Sequence, residues 1–348
     1  MLYQTQNPHG GDIYGAPIDL DYSANTNPLG TPQGVLDAIR EALPQVHHYP
    51  DPYCRKLVAA IADHEQLPER FILCGNGAAE LIDCYCAALR PRTAVELGPT
   101  FSEYSNGLER AGCTVSRYLL TREKGFVLDE GFLDFLEEQK PEAVFLCNPN
   151  NPTGQLIPQP LLDRILAFCR ANGTRLFLDE CFLDLTDVGV SVKDRLEEHP
   201  ELFILRAFTK SYGMAGVRLG YGLCADSALL TAMSRSVQPW NISTLAQAAG
   251  TAALREGAFL EESKAVIRTE RTWLLEQLAA CGFWVCPTTT NYILFRGPET
   301  LHAQLLERRI AIRSCGNYHG LEQGWYRIAV RTHSENEQLL AAIRAVLG

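Results

Sequence analysis

Val144-Phe145-Leu146-Cys147-Asn148-Pro149-Asn150-Asn151-Pro152-Thr153-Gly154 begins as a short apolar run and ends in two Asn-Pro steps and a glycine. The run is too short for a buried helix and the steps after it force a turn, so the stretch reads as a strand over 143–147 closed by a polar loop. An amphipathic segment at 158–172 follows, and then a second apolar run at 175–179, Leu176-Phe177-Leu178-Asp179-Glu180 at its end. Strand, helix and strand, with apolar strands throughout, is the pattern of a parallel sheet covered on both faces.

The same alternation extends outward. Further strands are predicted at 71–74, 93–97, 114–119, 202–206 and 217–224, and helical periods at 78–89, 102–111 and 226–236. Residues 31–242 therefore read as one large α/β domain. A long helix is expected from about 243 to 280, with Gly282 as its stop. Beyond it the pattern is strand-like at 291–295, 310–314 and 325–331 and helical at 299–308 and 334–346, so 243–348 reads as linking helices and a smaller α+β domain. Residues 1–30 are turn-rich and read as an N-terminal arm that packs on something else. The fold class is α/β: a large domain with a mostly parallel central sheet covered by helices, plus a smaller α+β domain.

Composition excludes several classes. Of 348 residues 46% are hydrophobic and 21% charged, with 27 Gly and 19 Pro dispersed, which is an ordinary globular balance. Net charge is -10, from 31 Lys+Arg against 41 Asp+Glu, and no basic block is present, so a nucleic-acid partner is not expected. Neither a signal-like start nor a run long enough to span a bilayer appears, and the protein is expected in the cytoplasm, with no membrane partner. Most of the twelve Cys sit in apolar runs and read as buried thiols; Cys84 and Cys86 alone lie close together, a weak pattern, and no metal is expected.

Four stretches at strand ends could carry chemistry. Gly75-Asn76-Gly77-Ala78-Ala79-Glu80 leaves a strand and opens a helix, where backbone amides and the helix dipole hold a phosphate. Glu96 ends the next strand, as in a dinucleotide fold, but Glu80 replaces the third glycine that such a fold needs for close helix packing. A structural turn or another phosphate ligand stays open. The Asn148–Gly154 loop is the second stretch. The third ends in Asp179, a carboxylate that at this sheet edge should face a protonated nitrogen or an Arg, since a lone buried charge is costly. The fourth is Arg206-Ala207-Phe208-Thr209-Lys210-Ser211-Tyr212-Gly213, with Lys210 a candidate Schiff-base lysine and Arg218, eight residues on, a candidate phosphate clamp.

Taken together and in this order, these residues resemble the fold-type I enzymes dependent on pyridoxal 5′-phosphate, the aspartate aminotransferase superfamily, over essentially the whole chain. The resemblance implies roles. Lys210 binds the cofactor covalently, Asp179 pairs with its pyridine nitrogen, and Asn151 bonds its phenolic oxygen. Gly77, Ala78, Ala79, Thr209 and Arg218 hold its phosphate, and Phe101, in Gly98-Pro99-Thr100-Phe101, stacks on its ring. Tyr49, in His48-Tyr49-Pro50-Asp51, is similar to the tyrosine that reaches the neighbouring subunit's phosphate, which implies a homodimer with shared active sites. Arg327 matches the arginine that takes the substrate carboxylate.

Within the superfamily the chain resembles the L-threonine-O-3-phosphate decarboxylases of cobalamin biosynthesis, and next to them the histidinol-phosphate aminotransferases. His9-Gly10-Gly11 and Ser23-Ala24-Asn25-Thr26-Asn27-Pro28-Leu29-Gly30 are similar to decarboxylase segments, and Phe182 stands where the aminotransferase has a Tyr that can donate to the phenolic oxygen. The implied reaction converts L-threonine O-3-phosphate to (R)-1-aminopropan-2-yl phosphate and carbon dioxide; the alternative is transamination of histidinol phosphate. A small phosphorylated amino acid is thus the expected substrate. His9, Arg313 and Arg331 are the donors expected at its phosphate, and Asn25 is counted with the substrate-binding residues. Ala207 departs from the family, since many members place a phosphate-binding Ser or Thr there.

Overall fold

The computed structural model of the chain describes residues 9–348; the first eight residues of the expected arm lie outside the described residues. After a short strand β1 (Leu20–Asp21), seven strands form the large sheet: β2 (Ile72–Gly75), β3 (Thr93–Gly98), β4 (Thr114–Leu119), β5 (Ala143–Cys147), β6 (Arg175–Asp179), β7 (Leu202–Ala207) and β8 (Gly220–Cys224). Their order is β2-β8-β7-β6-β5-β3-β4. Only β8 runs against its neighbours, pairing antiparallel with both β2 and β7, and the remaining pairs are parallel. Every residue of β5, β7 and β8 is buried, because helices cover both faces.

One face of this sheet is aromatic. Phe145, Phe177 and Phe203 lie opposite one another across β5, β6 and β7, and their rings stack at 4.8 and 5.2 Å. Tyr85, from the helix Ala78–Leu89, meets Phe177 edge-on at 4.9 Å. Side chains two apart on a strand share a face, so the stack points Cys147 and Asp179 out of its end on the same side.

The rest of the chain forms β9 (Trp284–Val285), β10 (Tyr292–Arg296), β11 (Ile310–Ala311), β12 (Arg313–Ser314) and β13 (Trp325–Ala329). Four of these make a second sheet in the order β12-β13-β10-β9, antiparallel throughout, while β11 pairs in parallel with β1. The arm therefore packs on the small sheet's neighbourhood through β1. Its Tyr22 is fully buried in that core.

Several sequence expectations change. The single strand expected at 310–314 is two strands in different sheets, with the buried Ile312 between them. The long helix of 243–280 is Thr244–Ala253 and Gly257–Ala280, broken where Arg255 and Glu256 donate three residues back to Ala252 and Ala253. Strand 217–224 begins only at Gly220, because Arg218 has φ 60 and cannot be extended. The helices Gln33–Ala42, Arg55–Glu65 and Gly131–Gln139 bury only two or three apolar side chains each, too few to mark a period in the sequence. All twelve cysteines are free thiols, eleven of them buried. Among the described residues no helix is long and apolar enough to cross a membrane.

The aromatic stack predicts a stability effect. Phe177→Ala should cost about 3–5 kcal/mol in chemical denaturation, as a cavity opens between two rings held on separate strands. A loss under about 1 kcal/mol would show that the stack closes over the gap.

Candidate active site

A cavity of about 240 Å³ opens at the carboxyl ends of β5, β6 and β7, between the large sheet, the arm and the small sheet. Of the predicted residues, His9, Asn25, Ala78, Ala79, Phe101, Asn151, Asp179, Thr209, Lys210, Arg218, Arg313 and Arg327 line it. Phe182 and Ala207 line it as well.

Asp179 is buried at the cavity floor. Burial pushes its carboxyl up from the usual range, and two donors pull it back: the Cys181 amide at 2.8 Å and the Tyr104 hydroxyl at 2.6 Å. Lys210 follows β7 in the four-residue helix Phe208–Ser211. Burial first, and the nearby Arg327 guanidinium next, bring its ammonium down from 10.5 to about 8. The ammonium lies 5.7 Å from the centre of the Phe182 ring. An amine this easily made neutral is suited to attack a carbonyl.

At one end of the cavity Gly77 has φ 82 and caps the helix Ala78–Leu89 without a side-chain cap. With φ 82 a side chain at position 77 would be strained, and its Cβ would displace the Arg218 guanidinium from the helix start, so glycine suits the position. Thr209 adds a hydroxyl nearby. These groups are the donor set for a dianionic phosphate.

At the other end Arg327 donates through Nη2 to the Ser23 carbonyl at 2.8 Å and through Nη1 to Asn151 Oδ1, and its buried Nε has no partner. Arg313 lies directly opposite Arg327 in the β12–β13 pairing. It donates to the Ser314 carbonyl and to Asn317 Oδ1 at 2.8 Å, and its guanidinium lies 5.2 Å from the Tyr318 ring centre. His9 pairs with Glu103 at 2.7 Å, its ring 5.5 Å from that of Phe101.

Three predicted residues are not among those that line the cavity: Gly77, which stands behind the Arg218 guanidinium at its edge, Arg331 and Tyr49. Arg331 is drawn off by Glu335, at 2.7 Å, the residue that completes the capping box of the helix His333–Leu347, and by the Asp21 carbonyl. The structure thus does not bring it to the cavity with the other expected substrate residues. Tyr49 is 79% exposed and stacks on Trp240 at 4.5 Å, away from this chain's own cavity.

Sequence reasoning missed Tyr104, Cys181, Glu103 and Ser23. Tyr104 could have been found, since it stands three residues after Phe101 and so follows it on one face of a helical turn. The others act through a backbone group or a tertiary contact with no sequence signal.

The cavity fits the group that the resemblance implies, a phosphorylated pyridine aldehyde. A phosphate cradle, a neutralisable lysine, a carboxylate for a ring nitrogen and an aromatic face at Phe101 converge on one space, and the glycine at 77 suits the cradle. Tyr104→Phe removes a charged hydrogen bond of about 1.5–3 kcal/mol. The carboxyl of Asp179 then rises further, so the acid limb of the pH–rate profile should move to higher pH, with kcat down about tenfold. An unmoved acid limb would remove Tyr104 from this charge balance.

Comparison with known proteins agrees with this geometry. The chain is 38% identical to the threonine-phosphate decarboxylase of Salmonella typhimurium, covering 97% of this chain and 96% of that protein. It is 31% identical to the histidinol-phosphate aminotransferase of Thermoanaerobacter pseudethanolicus, over 97% and 95%. The crystal structure of the histidinol-phosphate aminotransferase from Clostridium acetobutylicum superposes with a TM-score of 0.88 at 30% identity, over 94% of this chain and 99% of that one. The match to aminotransferase class I and II runs over residues 17–343, and with a sheet, a lysine and a phosphate cradle arranged as described, the chain belongs to that family.

Proposed function

We propose that the protein is a pyridoxal phosphate-dependent decarboxylase of L-threonine O-3-phosphate, releasing carbon dioxide and (R)-1-aminopropan-2-yl phosphate. The observation that carries this reading is the cross-strand pair Arg313 and Arg327. Like charges directly opposite on a sheet repel, and the partners of both are neutral: Ser314 and Asn317 for one, Ser23 and Asn151 for the other. Such a pair calls for a ligand with two anionic ends. Threonine phosphate has a carboxylate and a phosphate; histidinol phosphate has no carboxylate. The 38% identity to a threonine-phosphate decarboxylase supports the same choice.

The cofactor supplies the electron sink for the pair released at Cα. Asp179 would hold the proton on the pyridine nitrogen, Phe101 would offer the ring a face, and Asn151 would bond the phenolic oxygen. Gly77, Ala78, Ala79, Thr209 and Arg218 bind the cofactor phosphate. Arg313 and His9 bind the substrate phosphate, and Arg327 and Asn25 face the carboxylate end. Lys210 would hold the cofactor and, as the neutralisable amine nearest to it, would serve as the proton carrier for Cα. Binding at the remote phosphate by Arg313 and His9 would orient the substrate and hold its carboxylate end in one place.

Homodimerisation is supported by the exposed apolar surface at Val46, Tyr49, Tyr53 and Trp240, from which Tyr49 would reach the partner's cofactor phosphate. A reducing compartment, the cytoplasm, suits twelve free cysteines. Supply of a building block to cobalamin biosynthesis follows from the same reading.

The test is carbon dioxide release from L-threonine O-3-phosphate with no keto acid present. Silence there, together with conversion of histidinol phosphate when 2-oxoglutarate is supplied, would replace the decarboxylase with an aminotransferase. A second expectation concerns pH. Covalent capture of the cofactor by apoprotein needs neutral Lys210, so its rate should rise with pH and level off above about 8; stopped-flow absorbance reads it. A rise continuing to pH 10 would mean that Lys210 keeps an ordinary ammonium.

A further inference from the structure

Lys210 stands in a helix of only four residues, which has too few internal hydrogen bonds to hold its own position. The arm holds it. Asn27 is buried, and each of its polar groups is engaged. Its backbone N–H donates to the Lys210 carbonyl at 3.1 Å. Its Nδ2 donates to the Ser211 carbonyl at 2.8 Å and to Ser263 Oγ at 2.7 Å, and its Oδ1 accepts from the Leu29 amide at 2.9 Å.

The contact continues down the chain. Thr31 Oγ1 donates to the Gly213 carbonyl at 2.8 Å. At Gly213, where φ is 60, the two backbones are so close that any Cβ would strike the Gly30 carbonyl. The same strip also meets the opposite wall of the cavity, where the Ser23 carbonyl accepts from Arg327 and the Asn25 carbonyl accepts from Asn291 at 3.1 Å.

We propose that Asn27 is a positioning residue for Lys210, fixing two successive carbonyls of its short helix so that the lysine nitrogen returns to one place beside Cα in each turnover. The proposal rests on the reading of Lys210 as the cofactor-binding lysine. A lysine reaches its target through a flexible stem, so the location of its Cα decides where the nitrogen can stand. Displacements of about an ångström cost up to about a hundredfold in rate.

The two readings are separated first. Borohydride reduction and peptide mapping of the wild-type holoenzyme should label Lys210; a label elsewhere overturns the reading of the site, whatever Asn27 does. Asn27→Ala and the control Ser263→Ala are then compared as holoenzymes. The readouts are kcat per bound cofactor, KM, and the pH midpoint of the cofactor's visible absorbance.

That midpoint responds to the charges around Lys210, namely Arg327, Arg218, Asp179 and the Cys181 thiol. In Asn27→Ala, kcat should fall about tenfold to a hundredfold, KM should stay within about twofold, and the midpoint should move, while Ser263→Ala stays close to wild type. Wild-type kcat per bound cofactor with an unmoved midpoint, and only a lower melting temperature, overturns the proposal. If Asn27→Ala does not fold, Thr31→Val decides, since it removes one hydroxyl without changing shape. A moved midpoint with reduced kcat supports the clamp, and wild-type values for both overturn it.

Discussion

A buried carboxylate at the end of an apolar strand is the constraint on which the site depends. Asp179 extends the face that carries Phe145, Phe177 and Phe203, and that aromatic floor keeps it out of water. Burial pushes its carboxyl up, the Tyr104 hydroxyl and the Cys181 amide pull it back down, and both donors come from segments that the same sheet positions. Core packing and site electrostatics are therefore one arrangement: the stack places Asp179, and the strand's end gives it donors.

Where sequence was legible, a local rule was at work. The fully apolar runs of β5, β6 and β7 could belong only to a covered parallel sheet, and the polar loops after them mark the edge where ligands bind. Gly77, Asp179, Lys210 and Arg218 were readable because each stands at such an edge. Arg331 lies outside the cavity lining, paired with Glu335 four residues on; sequence shows a charge and not its partner, which is explicit only once the capping box is seen. The break at 254–256 was missed because nothing there but Gly257 disfavours a helix, and the turn is imposed by packing. Tyr104 was within reach of the helical spacing from Phe101, whereas Glu103 meets His9 across ninety-four residues of chain, a contact that no periodicity reports.

Charge accounts for the shape of the whole site. Lys210, Arg218, Arg313 and Arg327 face one cavity, whose floor carries the single carboxylate of Asp179. A folded chain tolerates this excess only if anions complete it or the cations are spread apart. The cradle at Gly77 and the cross-strand pair in the small sheet lie at opposite ends, which lets two dianionic phosphates and a carboxylate be held without crowding the lysine between them.

The arm links these ends. Ser23 through Thr31 runs from the Arg327 guanidinium to the backbone of Lys210 and Gly213, with hydrogen bonds to the flanking segments at Ser23, Asn25, Asn27 and Thr31. On the proposed reading, a substrate carboxylate drawn to Arg327 would pull on the strip that meets the lysine's backbone. For a reaction that must turn one bond at Cα perpendicular to a ring and later protonate the same atom, binding energy at the far end is useful only if it reaches the reacting centre through something stiff. A strip tied at Ser23, Asn25, Asn27 and Thr31, with the Gly213 backbone packed so close to Gly30 that no side chain fits there, is such a connection, and it is made from the segment that at first reads only as turns.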